Sequence, residues 1–425
     1  MRSLYSAVLT VTAHLSKLAM GFFVLKLIAH YLGPEGLGKL GHFMSLLTIV
    51  GVLAGGGILH GVIKYVAEYR DRPARLACFI SAATGYSMMF SVIFLLVSLF
   101  MARPLSGFIF GSEAYYLYII MLGVAHCGIS YSNIIIGVCN GLGNSLAYAK
   151  IQVVGSLLAL PVSWALVAHY GEPGAILTLI VCIFMVFFPA FIWSRRFELS
   201  HAIKLSIPSR EDFKRFLSFT SMLLCSAIAF PMVEILIRQY LLQTSNYNEV
   251  GFWQASIRLS SAYAGLFSVF LGYWFMPAIS AERCWVKIRL KTVRVLVVTM
   301  LVFVMGAIIF YLWRGFFITL LLSRDFLGIE SIILYQLVGD FFKIGSYVIG
   351  FVAVAKAATV LYILAEFIQS VLFVFLAAWL LDVYPGAKGV VVGYSVAYFV
   401  YFIICVLIFY FVSRCFVKGS DKCLS

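Results

Sequence analysis

The most restrictive feature of this sequence is a succession of long apolar segments that fills most of its length. Hydrophobic residues make up 63% of the chain and charged residues 11%, whereas about 25% of an ordinary soluble domain is charged. A helix needs about 20 apolar residues to cross the hydrocarbon core of a bilayer. Because lipid offers no hydrogen bonds to an open backbone, such segments must be helical. The sequence therefore predicts an all-α polytopic membrane protein.

Twelve segments are long and apolar enough to be membrane-spanning helices. Their approximate bounds are 5–31, 40–67, 78–102, 115–140, 148–169, 174–194, 214–242, 251–279, 293–313, 331–353, 357–381 and 390–412. The longest connection is polar and lies near the middle of the chain. We therefore predict an N-terminal six-helix bundle over residues 1–200, a cytoplasmic linker over residues 201–213, and a C-terminal six-helix bundle over residues 214–425.

A short internal repeat supports two related halves. The segment EGLG at residues 35–38 follows the first predicted helix, and EVGF at residues 249–252 follows the seventh. Transporters are commonly built from such repeats, with the solute site between the repeats near the middle of the membrane. The repeat favours two pseudo-symmetric bundles around a central cavity, and the alternative is chance similarity of two helix turns.

The distribution of basic residues orients the chain. With the N-terminus in the cytoplasm, cytoplasmic segments hold about 20 of the 31 Lys and Arg residues, and extracytoplasmic loops hold about five. This asymmetry accounts for the net charge of +14, which therefore does not indicate a nucleic-acid partner. We expect both termini to be cytoplasmic.

Residues 33–39, GPEGLGK, resemble a phosphate-binding loop, but Leu40 stands where that motif needs Ser or Thr. Such loops join a strand to a helix in a soluble α/β unit, whereas two predicted spanning helices flank this segment. We expect a tight turn here, favoured by Pro34 and the glycines, and no bound nucleotide. Any uphill transport would then draw on an ion gradient or on consumption of the product.

The second predicted helix carries glycine pairs four residues apart, at 51/55 and 57/61. Small residues at this spacing let helices approach closely in lipid. We expect a role in helix packing, and the alternative is a flexible helix that bends as a cavity opens.

Charged side chains inside the predicted helices are the candidate functional residues. A charge at the centre of a bilayer costs about 2.5–3.5 kcal/mol on the insertion scale, so it normally faces a protein interior or a watery cavity. The candidate cations for substrate binding are Lys17, Lys26, Arg238, Arg258 and Lys343. Because these cations outnumber the acids and Arg and Lys suit phosphate, the cavity is expected to take an anionic, phosphate-bearing solute. The alternative is that each charge belongs to a structural ion pair.

Three acidic residues are candidates for ion coupling: Glu366, Asp340 and Glu234. Asp340 and Lys343 are three residues apart, so one helix face carries both and they partly neutralise each other. Glu234 precedes Arg238 by four residues, the favourable order for a helical ion pair. Glu366 could bind a coupling proton or sodium ion, or could balance Lys343. The sequence contains no C-x-x-C or H-E-x-x-H pattern, so we predict neither a metal site nor a cofactor.

Four stretches of the sequence carry a family resemblance. They are LGPEGLGKLGHF at 32–43, GVLAGGGILHGVIKYVAEY at 51–69, NEVGFWQASIRLSSAY at 248–263 and QLVGDFFKIGSYVIGFVAVAKAATVLYILAE at 336–366. In them the chain resembles the polysaccharide-transport branch of the multidrug/oligosaccharidyl-lipid/polysaccharide exporter superfamily. The likeness within this branch is to flippases of the enterobacterial common antigen (lipid III) and O-antigen repeat units.

The resemblance implies a flippase that moves an undecaprenyl-pyrophosphate-linked oligosaccharide across a bacterial inner membrane by alternating access, without bond chemistry. It implies membrane lipid, a glycan polymerase and a chain-length regulator as partners. It also implies a cationic cavity, in which Lys17, Arg238, Arg258 and Lys343 would contact the pyrophosphate or glycan. Glu234 departs from this expectation, because an acid one turn from Arg238 weakens the attraction of that arginine for phosphate.

Three other classes of function remain as alternatives. A cation or drug antiporter of the same superfamily would share the fold. A membrane polymerase or ligase acting on the same lipid would use large extracytoplasmic loops, whereas the predicted loops are short. A scaffold that transports nothing would have little use for charges inside its helices.

Overall fold

The computed structural model describes residues 2–196, 206–356 and 358–418, and its regular structure within these ranges is helical throughout. The α-helices, numbered α1 to α16 in chain order, are Arg2–Lys39, Gly41–Leu53, Leu59–Glu68, Pro73–Phe100, Ala102–Phe110, Tyr116–Gly141, Ser145–Phe184, Phe187–Arg196, Arg210–Thr244, Tyr247–Phe270, Met276–Ser280, Trp285–Leu312, Arg314–Leu321, Ile333–Ala355, Thr359–Val383 and Ala387–Lys418. In the described ranges, nine helical segments are long and apolar enough to cross a membrane by length and composition. The predicted all-α membrane class is confirmed.

The helices follow the twelve predicted segments closely. A π-helical turn, Leu271–Phe275, joins α10 to α11, so that together they form the eighth segment. Helix α7 contains the fifth segment and the start of the sixth, and the backbone leaves helical geometry between them at Gly171, where φ is 57°. Only glycine adopts such a backbone readily, and Pro173 follows it. The predicted gap between residues 169 and 174 is therefore a bend within one run of helix.

The second predicted segment, by contrast, is interrupted. Residues 55–57 all have positive φ, between 67° and 77°, and they separate α2 from α3. The hydroxyl of Thr220 donates a hydrogen bond of 2.5 Å to the carbonyl oxygen of Gly56, which the broken helix leaves open. A Cβ added at Gly51 would meet no atom within 4 Å, so the packing role expected for the 51/55 pair is wrong at Gly51. The glycines that matter here are the three that permit the break.

Two compact units make up the chain. Unit 1 contains Met1–Leu32 and His42–Pro231, and unit 2 contains Gly33–Gly41 and Met232–Ser425. The predicted bundles at 1–200 and 214–425 stay a prediction, and residues 201–205 of the predicted linker lie outside the described ranges. The described helix α9 begins at Arg210 and contains the boundary between the units at Pro231.

The core of unit 1 is aromatic at one end and contains a polar cluster. Tyr86 and Phe216 are fully buried and their ring centroids lie 5.1 Å apart. Deeper in the unit, Ser91 donates a 2.6 Å hydrogen bond to Ser130, and Nδ1 of His126 lies 3.1 Å from the Ser91 hydroxyl. These buried groups satisfy one another, so the cluster links α4 to α6 without exposing a polar atom to lipid.

In unit 2, α14 packs against α10, α12, α15 and α16. Two glycines of α14 let the neighbouring helices approach. A Cβ added at Gly339 would lie 2.6 Å from the ring of Tyr394, and one added at Gly345 would lie 2.7 Å from the ring of Phe402. Such distances are shorter than any real Cβ contact. Glycine at these positions therefore sets the close contact between α14 and α16, and Asp340 follows directly after one of them.

The glycine-rich segment 33–41 packs on the start of α10. The chain bends at Gly33, where φ is 63°, and residues 34–39 continue as helix. A Cβ added at Gly38 would lie 3.1 Å from the backbone nitrogen of Gly251, and one added at Gly251 would overlap Pro34. The two segments of the predicted internal repeat are thus in direct contact within unit 2.

Candidate functional site

The buried carboxylate of Asp340 is the centre of a polar cluster in unit 2. Its side chain is fully buried. The hydroxyls of Ser260 and Tyr394 donate hydrogen bonds of 2.5 Å and 2.6 Å to Oδ1. The hydroxyl of Tyr263 donates to Oδ2, and the side-chain amide of Gln336 donates to the same oxygen over 3.2 Å. Four donors aimed at one carboxylate replace the water that a buried charge loses.

Three helices supply these donors because their sequences place polar side chains at helical spacing. Ser260 and Tyr263 are three residues apart on α10, and Gln336 and Asp340 are four apart on α14, so each pair shares a face. Tyr394 lies on α16 beside Gly339. The cluster therefore ties α10, α14 and α16 together at one depth.

Lys343 lies one turn beyond Asp340 on α14 and is buried, with 7% of its surface exposed. Its Nζ lies 5.4 Å from the ring centroid of Tyr394 and 5.3 Å from that of Tyr398. A desolvated cation over a tyrosine ring gains about 2 kcal/mol from the ring quadrupole. The hydroxyl of Tyr398 accepts a 2.8 Å hydrogen bond from Gln369 of α15. Two tyrosines therefore hold the cation in place from α16.

Glu366 lies on α15 and is partly buried. Tyr362, one turn earlier, hydrogen-bonds to its carboxylate, and the charge of Lys343 acts on it. The structure thus brings three predicted residues, Asp340, Lys343 and Glu366, into one polar region of unit 2.

A second buried cluster surrounds Arg238 on α9. Its side chain is fully buried, and Nη2 donates a 2.7 Å hydrogen bond to Gln254. The predicted pair with Glu234 is confirmed, with 4.0 Å between Nη2 and Oε2. Trp253 lies under the guanidinium at 5.7 Å, and a Cβ added at Gly41 would lie 2.9 Å from Cζ. Arg238 therefore helps to pack the segment 33–41 against α9 and α10.

Arg258 lies one turn beyond Gln254 on α10 and is partly buried. Its charge acts on Arg238, so the two predicted cations are close. Its Nε is buried and has no hydrogen-bond partner among the described residues. A buried guanidinium nitrogen without a partner costs about 1–3 kcal/mol, and an anionic oxygen would remove that cost.

The remaining predicted cations, Lys17 and Lys26, belong to unit 1. Both lie on α1 and both are exposed. His14 lies one turn before Lys17, and its ring contacts Tyr148 of α7 with 6.3 Å between centroids. The five predicted cations are therefore distributed over both units, two in unit 1 and three in unit 2.

Comparison with known proteins decides the family. A family model described as "Polysaccharide biosynthesis protein" matches residues 3–282, more than half of the chain. The lipid III flippase of Escherichia coli (strain K12) is 32% identical over 404 residues, which cover 94% of this chain and 96% of that protein. The lipid III flippase of Shigella flexneri matches equally well. This chain belongs to the polysaccharide biosynthesis protein family.

The same fold occurs in solved structures of more distant proteins. An inward-facing multidrug resistance MATE family transporter of the MOP superfamily superposes with a TM-score of 0.77, covering 97% of this chain and 100% of that chain at 16% identity. The lipid II flippase MurJ, in an inward closed conformation, superposes with a TM-score of 0.71 over 94% of this chain and 87% of that chain, at 15% identity. The fold is thus shared by drug transporters and a lipid flippase and does not by itself separate these functions.

Several residues of the cluster around Asp340 and Lys343 were not predicted from the sequence. They are Ser260, Tyr263, Gln336, Tyr394 and Tyr398. Serine and tyrosine are common in spanning helices, so they give no signal one at a time. Their spacing does carry a signal, because 394 and 398, like 336 and 340, repeat at one helical turn and define a polar stripe on an otherwise apolar helix.

Proposed function

We propose that this protein flips a lipid-linked oligosaccharide from the cytoplasmic to the extracytoplasmic leaflet of a bacterial inner membrane. The observation that carries the proposal is the 32% identity to the E. coli lipid III flippase over 94% of the chain. A match over 94% of the chain includes residues of both units. The substrate is then an undecaprenyl-pyrophosphate-linked glycan of the common-antigen or O-antigen type.

The buried cations suit such a headgroup. A pyrophosphate leaving water needs cationic donors to replace its hydration. Arg258 offers a buried Nε without a hydrogen-bond partner among the described residues, and Lys343 offers a buried cation beside the rings of Tyr394 and Tyr398. We assign these two residues of unit 2 to the phosphates. Lys17 and Lys26 of unit 1 stay separate candidates for contact with the substrate. Arg238, which is fully buried beside Gln254, supports the arrangement at the start of α10.

Coupling to an ion is assigned to Asp340, with Glu366 as its neighbour. The oxygen atoms around Asp340 come from Ser260, Tyr263, Gln336 and Tyr394, and such a set can accept a proton or replace the water of a sodium ion. Neutralising Asp340 would change which hydroxyls donate and would alter the packing of α10 and α16 on α14. That change is the proposed link between ion occupancy and alternating access.

The proposed orientation places both termini in the cytoplasm, because the basic residues concentrate on that side. The protein acts as a transporter and catalyses no bond chemistry. A glycan polymerase and a chain-length regulator are the proposed partners that consume the flipped product.

Complementation tests the proposal. The gene would be expressed in an E. coli strain that lacks its lipid III flippase, beside Arg258→Ala and Lys343→Ala variants and an Arg414→Ala control at an exposed position of α16. We expect surface common antigen to return with the wild type and the control and to fall at least about tenfold with the two variants. Membrane-inserted protein that restores no surface glycan and instead raises drug resistance would contradict the proposal in favour of a drug antiporter.

A further inference from the structure

An apolar groove opens on the surface of unit 2 between α10 and α12. Its volume is about 360 Å³. The lining side chains include Tyr263, Phe267 and Phe270 of α10 and Val298, Thr299 and Val302 of α12. Most of these are partly or largely exposed, so the groove is open along its length. It can hold one linear hydrocarbon chain.

A row of cations continues the groove along the same face of α12. At about 100° of rotation per residue, positions 287, 291, 294, 298 and 302 fall within about 80° of one another. The first three are Lys287, Lys291 and Arg294, and the last two are the valines that line the groove. One helix face therefore changes from strongly basic to apolar in a single step, between Arg294 and Val298.

Two of these cations are available to a ligand. Lys291 is occupied, because its Nζ lies 2.8 Å from Oε2 of Glu282. Lys287 and Arg294 are exposed and form none of the ion pairs found among the described residues, although the charge of Lys287 acts on nearby Glu282. Exposed cations beside a hydrocarbon groove complement an amphiphile with a phosphate at one end.

The dimensions match one leaflet of a bilayer. From Arg294 to Val302 the helix rises about 12 Å, at about 1.5 Å per residue. Half of the hydrocarbon core of a bilayer is about 15 Å. A phosphate held by Arg294 at the interface would therefore place the first part of its chain along the groove within the same leaflet.

We propose that this groove and the cations Lys287 and Arg294 dock the prenyl pyrophosphate carrier of the substrate before its headgroup is translocated. The inference rests on the proposed flippase function and adds a docking site for the lipid part of the substrate. A prenyl carrier has one chain, and a groove of about 360 Å³ takes up part of one chain more readily than the two chains of a bilayer phospholipid. A pyrophosphate also carries more charge than a single phosphodiester, which suits the two exposed cations Lys287 and Arg294.

The site also connects to the Asp340 cluster. Tyr263 lines the groove with its ring and donates a hydrogen bond to Asp340 with its hydroxyl. A chain seated against this ring would press on a residue that orients the buried carboxylate. Carrier binding and ion binding at Asp340 are therefore expected to affect each other.

Binding of undecaprenyl pyrophosphate without sugar tests the inference. The full-length protein would be placed in phosphatidylcholine nanodiscs and the bound lipid counted by native mass spectrometry. The test variants are the double change Lys287→Ala/Arg294→Ala and the groove-filling Val298→Trp. Matched controls are Arg283→Ala/Arg289→Ala, which removes the same charge from exposed positions off the row, and Val297→Trp on a neighbouring face.

We expect the two test variants to weaken binding by at least about tenfold and the controls by less than about twofold. Equal loss in variants and controls would overturn the inference. Displacement of the carrier by an equal amount of phosphatidylglycerol would also overturn it, because the groove would then be an anionic-lipid surface of no specificity. Flipping by the wild-type protein is measured separately, so loss of the docking site and loss of the proposed function give different results.

Discussion

Tyr394 donates a hydrogen bond of 2.6 Å to the carboxylate of Asp340. The ring of the same tyrosine lies under Lys343, 5.4 Å from its Nζ. One side chain therefore touches the anion and the cation of α14 at once. Neutralising Asp340 is expected to weaken this charge-assisted hydrogen bond and so to loosen the ring that lies beside Lys343. This relationship connects the proposed ion site to the proposed phosphate site.

Replacing Asp340 by Asn is expected to abolish coupled transport while leaving the protein folded. The amide keeps the shape of the side chain but carries no charge. Its N–H group would also face hydroxyls that donate to Asp340 in the wild-type protein. The measurement is translocation in vesicles with and without an imposed proton or sodium gradient, and we expect at least about a tenfold loss of the gradient-driven rate. Asp382→Asn, at an exposed position near the end of α15, is the control. An Asp340→Asn protein that responds to the gradient like the wild type would contradict the assignment.

Replacing Tyr394 by Phe separates its two contacts. The change removes the hydrogen bond to Asp340 but keeps the ring beneath Lys343. We expect a loss of about 1–3 kcal/mol in stability and a reduced response to ions, with substrate affinity maintained. Tyr394→Leu, which removes the ring as well, should also weaken substrate binding.

Tyr398→Phe serves as the control for the hydroxyl deletion. Its hydroxyl bonds Gln369 rather than Asp340, so the response to ions should remain. If Tyr394→Phe and Tyr398→Phe altered the response to the same degree, the hydrogen bond to Asp340 would have no special part in coupling.

Replacing Gly41 by Ala is expected to destabilise the protein by displacing Arg238. The new methyl group would lie 2.9 Å from Cζ of a fully buried guanidinium, which has nowhere to move. Overpacking of this kind costs about 1–3 kcal/mol, so the midpoint of thermal unfolding should fall. Gly21→Ala is the matched control, since a Cβ there meets nothing within 4 Å and alanine favours helix. An unchanged midpoint for Gly41→Ala would show that Arg238 adjusts freely.

Stability at acid pH is expected to depend on Glu282, which lies in the connection between α11 and α12. A hydrogen bond from Lys291 lowers the pKa of this carboxyl below its ordinary value of 4.5. A group with a lowered pKa in the folded state stabilises the fold above its unfolded pKa and stops doing so as the pH falls through the folded value. The midpoint temperature of unfolding should therefore fall as the pH is lowered below about 4.5. The Lys291→Met change should make this fall smaller, whereas Arg289→Met should leave it unchanged. Identical pH profiles for the two variants would contradict this account.

The sequence predicted the features that depend on local composition, namely the spanning helices and the charges inside them. Apolar length located most of the helices, although α12 begins at Trp285 and not at residue 293 as predicted. Charges inside apolar runs singled out Asp340 and Lys343. Helical spacing alone predicted the pair of Glu234 with Arg238, which the structure contains. These inferences succeed because a charge in lipid is too costly to occur without a partner or a purpose.

The sequence did not reveal features that depend on tertiary context. Residues 55–57 were predicted to lie within a continuous helix, but the helix is broken there. A run of glycines is compatible both with close helix packing and with a break, so the sequence does not distinguish the two. The short helix α13, Arg314–Leu321, reads as a loop, since it is shorter than a spanning segment. Three of the four donors around Asp340 come from α10 and α16, far away in sequence, so their convergence depends on helix packing.

Reconstituted translocation tests the central claim most directly. Purified protein in sealed vesicles would be given a fluorescent undecaprenyl-pyrophosphate-linked sugar, and a membrane-impermeant quencher would report the fraction that remains in the outer leaflet. We predict that the wild-type protein moves the lipid faster than protein-free vesicles do, and that Lys343→Ala moves it at least about tenfold more slowly. Folded wild-type protein that moves the lipid no faster than empty vesicles would contradict the account.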